Sequence, residues 1–315
     1  MIRPLIAIVG PTASGKSEIA LQLAERLGGE IVNADSRQVY RGMDIGTAKP
    51  TREMRRRVPH HLYDVVEPTD EFSLALYVDL ARAKFEELWS RGTFPWLVGG
   101  SGQYVWALLE HWQVPHVPPD PELRKRLADE AARVGVEALH ARLAAVDPVA
   151  AERIDRRNLR RIIRALEVYE HTGVPISAWQ TKGDPPFQML VAGIDVDREE
   201  LDRRIDRRVE RMFAEGFVEE VEGLLARGVP PDAPAMSSIG YAEVVRMLRG
   251  ELTREEAMEE TKRATRRLAR RQWQWFRRDD PRIRWIRTAD DIELEANIFT
   301  GACTSVIRGP GRGAG

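Results

Sequence analysis

The stretch Gly10-Pro11-Thr12-Ala13-Ser14-Gly15-Lys16-Ser17 has the spacing G-x-x-x-x-G-K-[ST] of a phosphate-binding loop. Before it, Leu5-Ile6-Ala7-Ile8-Val9 is a short apolar run with the character of a buried parallel strand. After it, Ile19, Ala20, Leu23, Ala24 and Leu27 recur at helical spacing, and Gly28-Gly29 closes the helix. Strand, glycine loop and helix in that order predict an α/β fold, a P-loop-type parallel sheet core flanked by helices. Backbone N–H groups of the loop then converge at a helix N-terminus, where the peptide dipoles favour an anion. Lys16 is expected to reach the terminal phosphates, and the Ser17 hydroxyl to hold Mg²⁺. A glycine turn arising by chance has no reason to sit between such a strand and such a helix. The motif predicts bound phosphate and does not say whose.

Working outward, Glu30-Ile31-Val32-Asn33 reads as a second short strand that delivers Asp35, Ser36, Arg37 and Gln38 to the same sheet edge. Ligands of parallel α/β sheets sit beyond the carboxyl ends of the strands, so Asp35 is expected to face whatever the loop holds. The competing reading of Asp35 is a helix N-cap or turn residue. Residues 41–59 read as a loop with a short helix around Met54, residues 62–66 as a strand, and residues 72–89 as a helix with Leu76, Leu80, Ala83 and Leu88 inward. His60 and His61, being adjacent, point differently on any regular element, and no nearby Cys or spaced carboxylate completes a metal site. Phe94-Pro95-Trp96-Leu97-Val98 is the next strand, followed by Gly99-Gly100-Ser101-Gly102-Gln103-Tyr104. Motor-type NTPases end a comparable strand in an aspartate that helps place Mg²⁺ and the attacking water. Glycines and a serine in that place argue against a hydrolytic engine.

The composition changes at the proline-rich Val114-Pro115-His116-Val117-Pro118-Pro119. Four parts are predicted: residues 1–115 as the first part of the core, 116–186 as an all-helical insertion domain, 187–300 as the second part of the core with basic C-terminal helices, and 301–315 as a flexible glycine-rich tail. In the insert, residues 122–133 and 136–146 form a helical pair, and residues 156–171 form a third helix stopped by Gly173 and Pro175. Arg153, Arg156, Arg157, Arg160, Arg161 and Arg164 crowd that helix, and their bland reading is a solvated face paired with Asp155 and Glu167. Residues 188–196 return to strand, and Asp197 caps a helix with Ile205, Val209 and Met212 inward. Arg203, Arg204, Arg207 and Arg208 lie on it, so at least one is expected to turn toward the phosphate. A last long helix over residues 253–278 carries no acid after Glu260, and interleaves Trp273, Trp275 and Phe276 with eight basic residues from Lys262 to Arg278. That mixture suits phosphate-backbone contact and base stacking.

With 315 residues a core is easily buried, and a net charge of −1 means that only these local arginine clusters could recruit a polyanion. The single cysteine, Cys303, excludes an internal disulfide framework and suits a reducing cytosol. No run approaches a membrane span, and Met1 leads into the first strand without a signal peptide, so a cytoplasmic protein, a monomer with no membrane partner, is expected.

Taken together, GPTASGKS (10–17), NADSRQVYRGMDIGTAKP (33–50), PHHLYDVVEP (59–68), LVGGSGQY (97–104), RRIIRALEVYEHTG (160–173), RMFAEGFVEEV (211–221), SIGYAE (238–243) and RRQWQWFRRD (270–279) resemble the tRNA dimethylallyltransferases, also called tRNA isopentenyltransferases. The matches follow the family order over nearly the whole chain. Ser101 stands where the family usually has threonine and keeps the hydroxyl, and Gln103 stands where it usually has leucine. The resemblance implies a Mg²⁺-dependent transfer of the dimethylallyl group from dimethylallyl diphosphate to N6 of the adenosine just 3′ of the anticodon. It implies diphosphate binding by Gly10, Pro11, Thr12, Ala13, Ser14, Gly15, Lys16, Ser17 and Arg208, Mg²⁺ on Ser17, and Asp35 and Ser101 as catalytic residues. Contact with the tRNA anticodon stem-loop is implied for Asp35, Ser36, Arg37, Gln38, Ser101, Leu123, Arg160, Arg161, Ile162, Ile163, Arg164, Ser237, Ser238, Ile239, Gly240, Tyr241, Ala242, Arg270, Arg271, Gln272 and Arg277. Two rivals remain at this point: prenylation of free AMP or ADP, which has no need of the insert and the basic helix, and a P-loop small-molecule kinase. A non-enzymatic RNA-binding module has no use for Lys16 and Asp35 together.

Overall fold

Every residue of the first strand, β1 (Pro4–Val9), is buried, as a continuous apolar run in the middle of a parallel sheet must be. The computed structural model describes residues 3–179 and 181–305. β1 is joined by β2 (Glu30–Asn33), β3 (His60–His61), β4 (Pro95–Gly99), β5 (Gln188–Ile194) and β6 (Ile283–Ile286), in the spatial order β3-β2-β4-β1-β5-β6. All five pairings are parallel, with Ile6 of β1 opposite Trp96 on β4 and Leu190 on β5. The carboxyl ends of β1, β2 and β4 therefore lie side by side along one edge, which is where such sheets bind ligands. Ile6 and Ile8 pack with Ile19 and Leu23 of the helix Lys16–Leu27 and with Ile286 and Ile292. A second core forms where the helices Arg198–Ala214, Phe217–Ala226, Tyr241–Leu248 and Arg254–Trp275 meet around Phe213, Phe217, Tyr241 and Ala257. Among the described residues no helix is long and apolar enough to cross a membrane.

The chain divides into two compact units, one of Met1–Phe72, Tyr77–Leu109 and Pro185–Gly315, the other of Ser73–Leu76 and Glu110–Asp184. Within the second unit, the helices Pro121–Val134, Val136–Val146, Pro148–Arg153, Leu159–Thr172 and Ile176–Trp179 close over Leu123, Leu127, Leu139, Leu143, Ile162 and Leu166. Glu167, 0% exposed, is the polar centre of this unit. Its carboxylate accepts from the Asp120 amide at 2.8 Å, Arg124 Nε at 2.8 Å and Arg164 Nη1 at 2.5 Å. Burial alone would raise its pKa, but these donors hold the carboxyl below its ordinary range. Glu167→Gln keeps the shape and removes the charge that two guanidiniums share, so the helical unit should lose roughly 1–3 kcal/mol in denaturant unfolding.

Several local expectations are corrected. No strand covers residues 62–66: Leu62 and Asp64 have φ of 63° and 56°, and only Val66 bridges, in parallel, to Tyr40. The kink turns the Asp64 carboxylate onto Lys49 at 2.6 Å and Arg55 at 2.7 Å. On the helix Leu74–Ser90 the buried face is Tyr77, Val78, Ala81, Phe85 and Leu88; of the residues expected inward, Leu88 is buried and Leu80 half-buried, while Leu76 and Ala83 are exposed. The helix expected over residues 156–171 begins at Leu159, because the Asn158 side chain accepts from the Arg161 amide and caps it, and a further short helix, Pro148–Arg153, precedes it. Asp197 occupies the N-cap of its helix without a side-chain capping bond. The long basic helix ends at Trp275. Residues 301–305 of the expected tail belong to the helix Asp290–Ser305, and residues 306–315 lie outside the described residues.

Candidate active site

The loop after β1 is built around backbone that side chains rarely adopt. Gly15 has φ 98° at the N-cap of the helix Lys16–Leu27, where no side chain caps the free amides. Those N–H groups are left pointing into the loop as donors for an anion. Inside the loop, Ser14 Oγ is buried with no hydrogen-bond partner among the described residues, an orphaned donor that phosphate oxygen would satisfy. Lys16 Nζ donates to the Pro11 carbonyl at 2.7 Å. Burial lowers its pKa to about 8, the Asp35 charge pulls it back up, and Arg208 pushes it down. Two arginines of the helix Arg198–Ala214 reach the loop: Arg208 Nη1 donates to Thr12 Oγ1 at 3.2 Å and Nη2 to the Thr47 carbonyl at 3.3 Å, and Arg204 Nη1 donates to the Ser14 carbonyl at 3.2 Å. Three cationic side chains thus reach one loop, Arg204 while also paired with Glu200 at 2.9 Å.

Beside it, the end of β2 is held by Asn33, which is fully buried. Asn33 Oδ1 accepts from the Asp35 amide at 2.9 Å, and Nδ2 donates to the carbonyls of Asp35 and Leu62, both at 3.0 Å. The Asn33 carbonyl accepts from Tyr77 Oη at 3.0 Å. Asp35 is half-buried, and its Oδ1 accepts from the Arg37 amide at 2.9 Å, so the turn reading of this residue is also met. The carboxylate nonetheless acts electrostatically on both Lys16 and Arg208, raising the pKa of each against the effect of burial. At the end of β4, Ser101 Oγ accepts from the Ser36 amide at 3.0 Å and bonds Ser36 Oγ at 3.3 Å. Gly99 permits this proximity: a Cβ there would lie 2.1 Å from the Ala34 carbonyl oxygen. Asp35, Ser36, Ser101 and the loop are thereby brought to one edge of the sheet.

The expected RNA tracts divide in two. Arg37, Arg160, Arg161, Ser237, Arg270, Arg271 and Arg277 are exposed, although Arg277 pairs with Asp279 at 2.7 Å. Leu123, Ile162 and Ile163 are core of the helical unit, Ser238, Gly240 and Tyr241 are buried, and Ile239 and Ala242 are half-buried. Arg164 is committed to Glu167 and to the Val117 carbonyl at 3.0 Å. Gln38 Nε2 is spent on the carbonyls of Thr47 and Ala48. Gln272 is 7% exposed with both ends of its amide bonded inside the protein. The exposed members of these tracts are the ones that an RNA could meet without rearrangement of the protein. Lys262 is likewise neutralised by Glu210 and Glu259, and Arg266 by Asp206. Of the three aromatics, Phe276 is buried, Trp273 packs on the core and Trp275 is 40% exposed.

Sequence reasoning missed the organising role of Asn33 and the internal role of Gln272, and it named Arg204 only as one of four arginines of which at least one was expected to turn toward the phosphate. Asn33 looked like a strand end, and only its zero exposure among apolar neighbours marks it as an organiser. For Mg²⁺, the described residues contain no group of three or more His, Cys, Asp or Glu suited to a metal. Exposed Ser17 at the helix N-terminus fits the other pattern, in which Mg²⁺ takes one or two protein oxygens and completes its shell with phosphate and water.

Comparison with known proteins gives a consistent set. The family profile described as IPP transferase matches residues 38–279, and that described as isopentenyl transferase matches residues 3–59. The chain is similar to a tRNA dimethylallyltransferase of Thermomicrobium roseum, 51% identical over 276 residues, covering 88% of this chain and 84% of that one. It is similar to another of Roseiflexus sp., 50% identical over 293 residues with 93% and 96% covered. Among solved structures it is similar to the tRNA isopentenylpyrophosphate transferase of Bacillus halodurans, at 39% identity and TM-score 0.70, covering 97% of this chain and 99% of that one. A eukaryotic dimethylallyltransferase acting on tRNA has TM-score 0.74 at 26% identity, with 97% of this chain and 78% of that chain covered.

Proposed function

The chain belongs to the IPP transferase family, and on that basis we propose that it transfers the dimethylallyl group of dimethylallyl diphosphate to N6 of the adenosine 3′ of the anticodon in tRNA. The observation that carries this reading is that the adjacent carboxyl ends of β1 and β4 and of β2 and β4 bring together a loop reached by Lys16 and Arg208 and the carboxylate of Asp35. The C–O bond between the allylic carbon and diphosphate breaks, and diphosphate leaves with the electron pair. Lys16, Arg208, the loop amides and the Ser14 hydroxyl are positioned to stabilise the charge that develops on it. The N6 lone pair forms the new C–N bond, and Asp35 accepts the N6 proton, which the exocyclic amine gives up only as that bond forms. Ser101 supports the same edge by fixing Ser36. Ser17 would hold Mg²⁺, which supplies further positive charge to the diphosphate oxygens. An adenine in an anticodon loop leaves its stack at low cost, which lets it enter a site at the end of a sheet. Function on tRNA also agrees with a cytoplasmic location.

The test is to incubate the protein with labelled dimethylallyl diphosphate and either unmodified tRNA or AMP. Label is expected in tRNA, and label in AMP alone would overturn the reading. Affinity for tRNA should also fall steeply with salt, and removing exposed charge at Arg160, Arg161, Arg267 and Arg271 should shrink the log–log slope by roughly one for each phosphate no longer neutralised. Dimethylallyl diphosphate binding should stay unchanged in those variants. A salt-independent tRNA affinity would return these arginines to a solvated surface.

A further inference from the structure

Of the two glutamines in the helix Arg254–Trp275, Gln274 is exposed and Gln272 is buried. Gln272 Oε1 accepts from the Thr12 amide at 2.7 Å, and its Nε2 donates to the Gly100 carbonyl at 2.9 Å. The Thr12 N–H and the Pro11 C=O belong to one planar trans peptide and so point in opposite directions. That carbonyl is the one on which Lys16 Nζ rests at 2.7 Å. A single peptide plane is therefore gripped from both sides, by Gln272 on its N–H and by Lys16 on its C=O. The next side chain along, Thr12, receives Arg208 at 3.2 Å. The glycines after β4 make room for this grip: a Cβ on Gly100 would lie 2.4 Å from Gln272 Nε2, and one on Gly102 would lie 2.1 Å from Trp275 Cγ. Trp106 Nε1 anchors the same helix end by donating to the Trp275 carbonyl at 2.9 Å.

We propose that Gln272 is a positioning residue of the transfer reaction: by orienting the peptide plane between Pro11 and Thr12, it sets where Lys16 and Arg208 meet the diphosphate, and it ties that cradle to the strand end that carries Ser101. The proposal rests on the reading of the loop as the diphosphate site. Without the amide acceptor, the part-buried Thr12 N–H loses its partner, and the plane is held only from its carbonyl side, by Lys16 and by the Ser14 amide at 3.3 Å, so it can tilt and carry the Lys16 rest point with it. Gln272 acts through the loop and does not touch substrate.

Gln272→Leu should weaken binding of dimethylallyl diphosphate and of inorganic diphosphate about tenfold or more. In steady state the KM for dimethylallyl diphosphate should rise more than the KM for tRNA. Gln272→Glu carries the discriminating readout. At neutral pH its carboxylate can accept from Thr12 but meets the Gly100 carbonyl with no proton. On acidification the protonated acid regains an acceptor and a donor, so its affinity relative to wild type at the same pH should recover toward one. Gly100→Ala, whose methyl displaces the same amide from the other side, should reproduce the loss seen in Gln272→Leu. If Gln272→Leu lowers the melting temperature yet binds inorganic diphosphate within twofold of wild type, the residue is only a structural tie and the proposal fails. A ratio for Gln272→Glu that stays flat with pH also overturns it. Because the binding measurements use no RNA, they stand apart from the tRNA assay: loss of transfer by wild type would defeat the proposed function and leave this comparison readable.

Discussion

Asp35→Asn is expected to slow single-turnover transfer of the dimethylallyl group by roughly 10²–10⁴-fold, the usual contribution of a general base. Affinities for tRNA and for dimethylallyl diphosphate should change only a few-fold. The geometry makes this a clean substitution. Asn33 holds the Asp35 backbone through its amide and its carbonyl, and the side chain itself contributes one acceptor, to the Arg37 amide. Asparagine keeps that acceptor and its size, so the turn survives while the proton acceptor is lost. Quench-flow measurement of the bound complex against equilibrium binding separates the two effects. A turn residue with no part in chemistry predicts a rate near wild type, and that outcome would remove Asp35 from the mechanism.

Lys16→Ala is expected to cost roughly 10²–10³-fold in transfer, the range for removing one preorganised group from a developing oxyanion, and to weaken diphosphate binding as well. Lys16 also gives the wild type a recognisable pH profile. Burial first, and Arg208 after it, lower its pKa to about 8 against the opposing pull of Asp35. The free protein thus carries the ammonium below about pH 8 and loses it above. An anion favours the charged form, so diphosphate affinity should be greatest on the acid side of that value and weaken as pH rises through it. Calorimetric titration of inorganic diphosphate from about pH 7 to about pH 9.5 reads the alkaline decline, which Lys16→Ala should flatten. An identical decline in the variant would assign it to another group.

The two halves of the cradle differ in how far the sequence reveals them. Residues 10–17 are contiguous, and the strand before and the helix after announce their periods within a few residues, so the fold class was readable from a short window. The helical pairings of the insert were readable for the same reason, whereas its starts and stops depended on caps such as Asn158 and Asp147, which side-chain periodicity does not report. Asp35 could be placed because strand order puts it at an edge. Gln272 could not: its loop partner stands 260 residues away, and nothing in local patterning distinguishes an inward glutamine from an outward one. Arg204, whose loop partner stands 190 residues away, could be named only together with Arg203, Arg207 and Arg208. Arginine-rich tracts mislead in the opposite direction. Arg164, Lys262 and Arg266 sit among free-looking charges, yet each is held by a carboxylate that only the fold brings near.

β1 has β4 on one side and β5 on the other, with Ala7 opposite Leu97 and Val191 respectively. As the chain leaves the ribosome, β1 can be joined by β2 and β4 early, but its second edge stays bare until residues 188–194 have been made. In the interval the helical unit, made of residues 110–184 and the short segment 73–76, can fold on local contacts that form fast. Folding it draws the long connection between β4 and β5 into a compact body, which reduces the loop entropy that the last pairing must overcome. Until then the sheet presents an open, wholly apolar strand edge, the kind of surface that chaperones cover during synthesis.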